Sequence, residues 1–178
     1  MAITLASQKF MAFEGLVTWS KAVVMQGHRL SGALNLMCEP VRAFAEARET
    51  KQAFEAERHF FCIAAAKFFE YRRWVVELKL IEPGVFAEVD TFEADVKAMR
   101  DLNEHAREYF TGPGLRRQDW DANMERFNSD PTGTSETRIG GRLDWVKLQE
   151  AVSKLVPQVP DMLPSIYQEL QAEKNLLV

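Results

Sequence analysis

The amino-acid sequence predicts an all-α protein, an up-and-down bundle of about five helices. Apolar residues recur at intervals of three and four over long stretches, which is the period of an amphipathic helix. Steps containing glycine or proline, which end helices, separate these stretches. The chain has 178 residues, 47% hydrophobic and 27% charged, the size and composition of one globular unit. We therefore expect a single helical domain over residues 1–178.

The first helix is predicted over residues 6–26, with Gly27 as its C-terminal cap. The Glu39-Pro40 step disfavours a helix, because the residue before a proline is pushed to extended backbone. A new helix is predicted from Pro40. As one helix, residues 40–80 would be about 60 Å long, which is too long for a compact domain. Either the helix projects from the domain or it breaks in the polar stretch 46–52, and we expect a break near residues 49–51.

The clearest prediction is an antiparallel helical hairpin in the middle of the chain. The step Glu82-Pro83-Gly84 ends one helix and begins the next, which the Gly-Pro-Gly step at residues 112–114 ends. The second arm carries a three-four stripe that faces the core. Its members are Val85, Val89, Phe92, Val96, Met99, Asn103, Ala106 and Phe110.

The last third of the chain predicts two further helices. Residues 115–141 lose the helical period, so a small β-hairpin or an irregular insertion is expected there. Asp144 is placed to cap a helix that begins at Trp145, with Leu143 and Leu148 as a hydrophobic staple across its first turn. Pro157 ends this helix, and a last one is predicted over residues 161–174.

Composition excludes several classes of function. The net charge of −4 argues against binding nucleic acid over a wide basic face, and the basic pairs Arg72-Arg73 and Arg116-Arg117 are expected to be solvated surface. There is no segment typical of a signal peptide or a membrane span, so we expect a cytoplasmic protein without membrane contact. No glycine-rich phosphate loop and no Gly-x-Ser-x-Gly motif occurs.

Metal and cofactor sites are also not expected. Cys38 and Cys62 are the only cysteines and are predicted to be free thiols in a reducing compartment. His59 and Cys62 lie one helical turn apart, but two ligands do not make a metal site. His28 follows the expected cap at Gly27 and is interpreted as a polar turn residue.

The run RDLNEH, from Arg100 to His105, resembles the Arg-x4-6-His motif of the HEPN superfamily. Members of this superfamily are small helical bundles that include RNases of toxin–antitoxin and phage-defence systems. Asp101 matches the family's habit of a polar residue directly after the arginine. The resemblance implies a metal-independent endoribonuclease that needs no cofactor, acts on RNA as a homodimer and has an antitoxin-like protein partner.

The chemistry of these residue types fits that implied activity. Histidine titrates near neutrality, so His105 is the candidate acid/base for the attacking 2′-hydroxyl. The fixed fork of donors on Arg100 suits a phosphate, where it would stabilise the charge of the transition state. Asp101 or Asn103 would orient the two.

Helix geometry adds a condition to this hypothesis. Five residues at about 100° each place Arg100 and His105 roughly 140° apart around a regular helix. Either the helix is irregular there or the site is completed across a dimer interface. Folding the hairpin brings His59, with Arg58 beside it, to the level of His105, so both are candidate supporting residues.

A second interpretation of the same residues is structural. Arg100 and His105 can be solvent-facing residues paired with Asp101, Glu104 or Glu108, since such pairs are common on amphipathic helices. The aromatic-rich stretch from Phe60 to Trp74 is then core or dimer interface. The alternative function is a non-catalytic helical dimerisation or protein-interaction module.

Overall fold

The computed structural model describes residues 3–40, 44–104, 138–140, 142–159 and 161–175, and these residues form a helical bundle with one small β-hairpin. The all-α prediction with a small β insertion is confirmed. The helices are α1 (Leu5–Cys38), α2 (Phe44–Glu77), α3 (Ala87–Asp90), α4 (Glu93–Glu104), α5 (Trp145–Leu155) and α6 (Leu163–Asn175). The strands are β1 (Arg138–Ile139) and β2 (Leu143–Asp144), paired antiparallel, and 3₁₀ turns span Pro83–Phe86 and Val156–Gln158.

Helices α1 and α2 form a long antiparallel pair that organises the rest of the fold. Each has 34 residues and is therefore about 51 Å long. The Thr4 hydroxyl caps α1 by accepting a hydrogen bond from the Ser7 backbone N–H at 3.2 Å. Glu39 has extended backbone with ψ of 149°, so α1 ends before Pro40 as predicted.

The prediction that Gly27 ends the first helix is wrong, because α1 continues through Gly27 to Cys38. A Cβ built on Gly27 would lie 2.3 Å from Oε1 of Gln149 on α5. The Gln149 amide also donates to the Val24 carbonyl at 3.3 Å. The glycine therefore provides space for α5 to pack closely on α1. His28 is accordingly an exposed helical residue and not a turn residue.

The predicted break near residues 49–51 is also wrong, since α2 is one helix from Phe44 to Glu77. Its buried side chains begin at Phe61, and among the described residues its first half lies against α1, where Ala33 and Leu36 share a pocket with Glu49 and Ala53. The helix continues instead of breaking. A polar stretch without glycine or proline keeps helical propensity, and solvent accepts its polar side chains.

The second arm of the predicted hairpin is divided into shorter elements. The 3₁₀ turn, α3 and α4 follow one another, with a turn at Thr91 and Phe92. This division buries Phe86 and exposes Val85, the reverse of the predicted stripe. Arg72 on α2 pairs with Asp90 and lies 5.3 Å from the Phe86 ring centroid. Arg72 is therefore half-buried and not the solvated residue expected.

The C-terminal helices complete the core as the sequence predicts. The Asp144 side chain accepts from the Lys147 backbone N–H at 3.0 Å and caps α5, while Leu143 and Leu148 are fully buried. The β-hairpin is tied to α4 by Arg142, which donates to Asp95 at 3.0 Å. Helix α6 runs along the start of α1, where Lys9 and Glu169 pair at 2.7 Å. None of the described helices has the length and apolar character to cross a membrane.

Candidate functional site

Arg100 lies in α4, where two acidic neighbours approach the Nε of its guanidinium. Its Nε donates to Oε2 of Glu104 at 2.9 Å, and Oδ1 of Asp101 lies 3.6 Å from the same atom. The Arg100 side chain is 43% exposed, so these are surface ion pairs of the kind that contribute little to stability. A phosphate would have to compete with two carboxylates for this arginine.

The rest of the predicted catalytic run lies mostly beyond what the structure describes. His105, the candidate acid/base, is outside the described residues, as are the basic pair Arg116-Arg117 and residues 106–110 of the predicted stripe. Asn103 belongs to α4, but its side chain is not among those described. Of the predicted orienting residues, Asp101 is placed, and it faces Arg100.

A small pocket between α2 and α4 adjoins Arg100. It has a volume of about 130 Å³ and is lined by Ala66, Phe69, Arg73, Glu93, Val96, Lys97 and Arg100. Arg73 pairs with Glu93 at 2.6 Å. Within the described residues Lys97 has no ion-pair partner. The sequence noted Arg73 only as surface charge and did not predict that three cations from two helices would share one pocket.

The predicted supporting residues lie on α2, before the buried part of that helix begins. Arg58 is half-buried, pairs with Glu55 one turn earlier and lies 6.0 Å from the Phe54 ring centroid. Burial lowers the pKa of Arg58, and the Glu55 carboxylate acts in the opposite direction. His59 is half-buried, with its ring centroid 6.1 Å from that of Phe60. Whether either meets His105 lies outside the described residues.

Cys62 is unsuited to the metal-ligand role considered with His59. Its side chain is fully buried, and that burial raises the pKa of its thiol to about 12. The thiolate that binds metal is therefore disfavoured. Among the described residues no group of three or more His, Cys, Asp or Glu side chains is placed to hold a metal ion.

One extended feature was missed in the sequence, an exposed apolar stripe along α1. Met11, Met25 and Leu36 are 46–56% exposed, although they belong to the helix at the centre of the fold. Exposed Thr18 and Gly32 lie between them on the same helical face. We call these five residues the α1 stripe. In the sequence these positions are marked only by a spacing of seven residues, from Met11 through Thr18 and Met25 to Gly32. That spacing is hard to recognise because the buried apolar residues of the same helix recur at similar intervals.

The fold and the candidate residues were also compared with known proteins. Neither family models nor curated proteins nor solved structures gave a match to the chain.

Proposed function

We propose that this protein is a helical interaction module that binds a protein partner through the α1 stripe. The observation that supports this is the stripe itself, with three large apolar side chains about half exposed on one helix. From Met11 to Leu36 it extends for about 38 Å at the rise of an α-helix. Large exposed apolar side chains that recur along one helical face favour an interaction site, whereas single exposed apolar residues are ordinary.

The state of Arg100 favours binding over catalysis. A phosphate at Arg100 would meet the repulsion of two neighbouring carboxylates, since Glu104 lies 2.9 Å and Asp101 3.6 Å from the Arg100 Nε. This is the arrangement that the structural interpretation of the motif predicts. The chain's net charge of −4 also argues against a wide basic face for RNA.

Site-specific photo-crosslinking in the native host tests this proposal. A photoreactive amino acid at Met25 is expected to give a discrete covalent adduct, because a partner covers that side chain. Tyr167 on α6 is the matched control, since it is similarly exposed but lies on another helix. Mass spectrometry identifies the species joined at each position. Absence of any adduct at both Met25 and Leu36, or equal adducts at Tyr167, would contradict the proposal.

A second candidate function is the metal-independent RNase that the HEPN resemblance implies. The observation that favours it is the pocket beside Arg100, where Arg73 and Lys97 add two further cations. Such a cluster could hold the phosphates of an RNA strand while His105 moves the proton of the attacking hydroxyl. In this function Arg100 exchanges its carboxylate partners for phosphate oxygens.

Cleavage of a mixed pool of structured RNAs in the presence of EDTA tests the second candidate. The parent protein is expected to cut RNA, and His105→Ala is expected to reduce the rate by about 10²–10⁴-fold, the usual contribution of a general acid or base. His28→Ala is the control, because His28 is an exposed residue of α1. A parent protein that leaves the RNA intact, or a His105→Ala variant that cleaves as well as the parent, excludes this mechanism.

A further inference from the structure

Four of the five residues of the α1 stripe have an internal symmetry that indicates what covers the stripe. Met11, Thr18, Met25 and Gly32 are each seven residues apart, so they lie close to one line along the helix, drifting by about 20° per step. All four are exposed. The midpoint between Met11 and Gly32, which is also the midpoint between Thr18 and Met25, lies between Lys21 and Ala22.

We infer that a second copy of this chain covers the α1 stripe, with the two α1 helices antiparallel and related by a two-fold axis at that midpoint. The inference rests on the proposed function and names its partner. Closed two-fold dimers, in which one surface patch pairs with itself, are the commonest assemblies of soluble proteins. In this register each Met11 meets the Gly32 of the other copy, and each Met25 meets Thr18.

The sizes of the paired residues are complementary. A Cβ added at Gly32 would have no atom within 4 Å, so this position leaves open space at the surface of α1. The long side chain of Met11 can occupy that space, and Met25 packs against the shorter Thr18 in the same way. Facing positions that alternate large and small residues let two helices interdigitate. A parallel pair in register would instead oppose methionine to methionine and leave a gap at Gly32.

Charged residues on the same face of α1 as the stripe fit the same register. Glu14 and Arg29 lie at equal distances from the midpoint, so the Glu14 of one copy is at the level of the Arg29 of the other. Neither side chain has an ion-pair partner within the part of the chain that the structure describes. The two-fold axis forms this pair twice, and complementary charges across an interface fix register and specificity. A parallel pair would oppose like charges at both positions.

Lys21 opposes association in this arrangement. It is exposed and adjoins the axis, so the two copies bring their Lys21 ammonium groups near each other. Like charges at close approach weaken an interface, and salt reduces their effect. The geometry therefore predicts variants that act in opposite directions, because loss of Lys21 strengthens a contact that loss of Met25 weakens.

Sedimentation velocity from about 1 μM to about 1 mM measures the dimer dissociation constant of the full chain. The parent is expected to dimerise, Met25→Glu to raise the constant at least tenfold and Lys21→Gln to lower it. Tyr167→Glu, which adds the same charge on α6, is the control and is expected to leave it unchanged. Circular dichroism establishes that each variant remains folded.

A charge exchange isolates the register from general effects of mutation. Glu14→Arg and Arg29→Glu are each expected to weaken the dimer, whereas the double variant restores it. A monomeric parent, a dimer indifferent to Met25→Glu, or a double variant as weak as the single ones overturns the inference. The photo-crosslinking experiment distinguishes failure of this inference from failure of the proposed function. A Met25 adduct with another protein would leave the proposed function standing and exclude the second copy, whereas no adduct would remove both.

Discussion

Replacing Phe68 with alanine is expected to lower the free energy of unfolding by about 3–5 kcal/mol. Phe68 is fully buried in α2, and its ring meets that of Phe69 edge to face, with 5.1 Å between ring centroids. Helices α1 and α4 both pack on α2, so the surroundings cannot collapse into the space that the ring leaves. The loss therefore includes a cavity as well as the lost burial of the ring. Chemical denaturation monitored by circular dichroism measures it.

Phe60→Ala is the matched control for this substitution. Phe60 belongs to the same helix and is half exposed, so its removal is expected to change the free energy of unfolding by no more than about 0.5 kcal/mol. Similar losses for the two variants would mean that the core is not centred on the second half of α2.

The second large effect is expected at Gly15, where alanine should destabilise the protein by about 1–3 kcal/mol. A Cβ on Gly15 would lie 2.1 Å from two carbon atoms of the Tyr71 ring. The ring would have to move, and with it the contact between α1 and α2. Thermal and urea unfolding of Gly15→Ala measure the change.

Gly32→Ala tests the same reasoning with the opposite sign. Gly32 is also inside α1, but open space surrounds the position of its missing Cβ. Alanine there is expected to stabilise by about 0.5–1 kcal/mol, because glycine loses more backbone entropy in a helix. Low protein concentration keeps self-association through Gly32 out of the measurement. If Gly15→Ala and Gly32→Ala change the free energy of unfolding alike, helix propensity and not packing decides the effect of alanine at both positions.

Part of this fold was predictable from the sequence because helix ends are decided by nearby prolines and capping residues. The extended residue before Pro40 and the Asp144 cap depend on neighbours in sequence, so the sequence contains all that decides them. The aromatic-rich stretch from Phe60 to Trp74 was interpreted as core or dimer interface, and Phe61, Phe68 and Phe69 are buried whereas Phe60 is half exposed. These predictions needed no knowledge of distant parts of the chain.

The errors arose where distant residues decide the outcome. Gly27 has the signature of a helix cap, and only the arrival of Gln149 from α5 shows that it is a packing position. Local propensity permits α2 to continue through residues 46–52, and only the equally long α1 beside it shows that the fold accommodates a helix of this length. Phe86 replaces Val85 in the core because the 3₁₀ turn rotates the chain there, which a regular stripe does not anticipate.

In the candidate site too, contacts within one helix were predictable and contacts between helices were not. That Arg100 pairs with Glu104 was one of two interpretations available from the sequence, since four residues separate them on one helix. The pocket with Arg73 and Lys97 was not available, because it depends on how α4 lies against α2. His105 remains a prediction from the motif alone.

The late onset of burial in α2 has a consequence for the motions of the protein. No side chain of α2 before Phe61 is buried, so residues 44–60 contribute little to the core that holds the other helices together. Local opening of such a segment costs less free energy than global unfolding. The end of the α1–α2 pair that contains residues 44–60 can therefore open and re-form while the rest of the bundle stays folded. Gly32 and Leu36 belong to that part, so a partner bound along α1 would also suppress its opening.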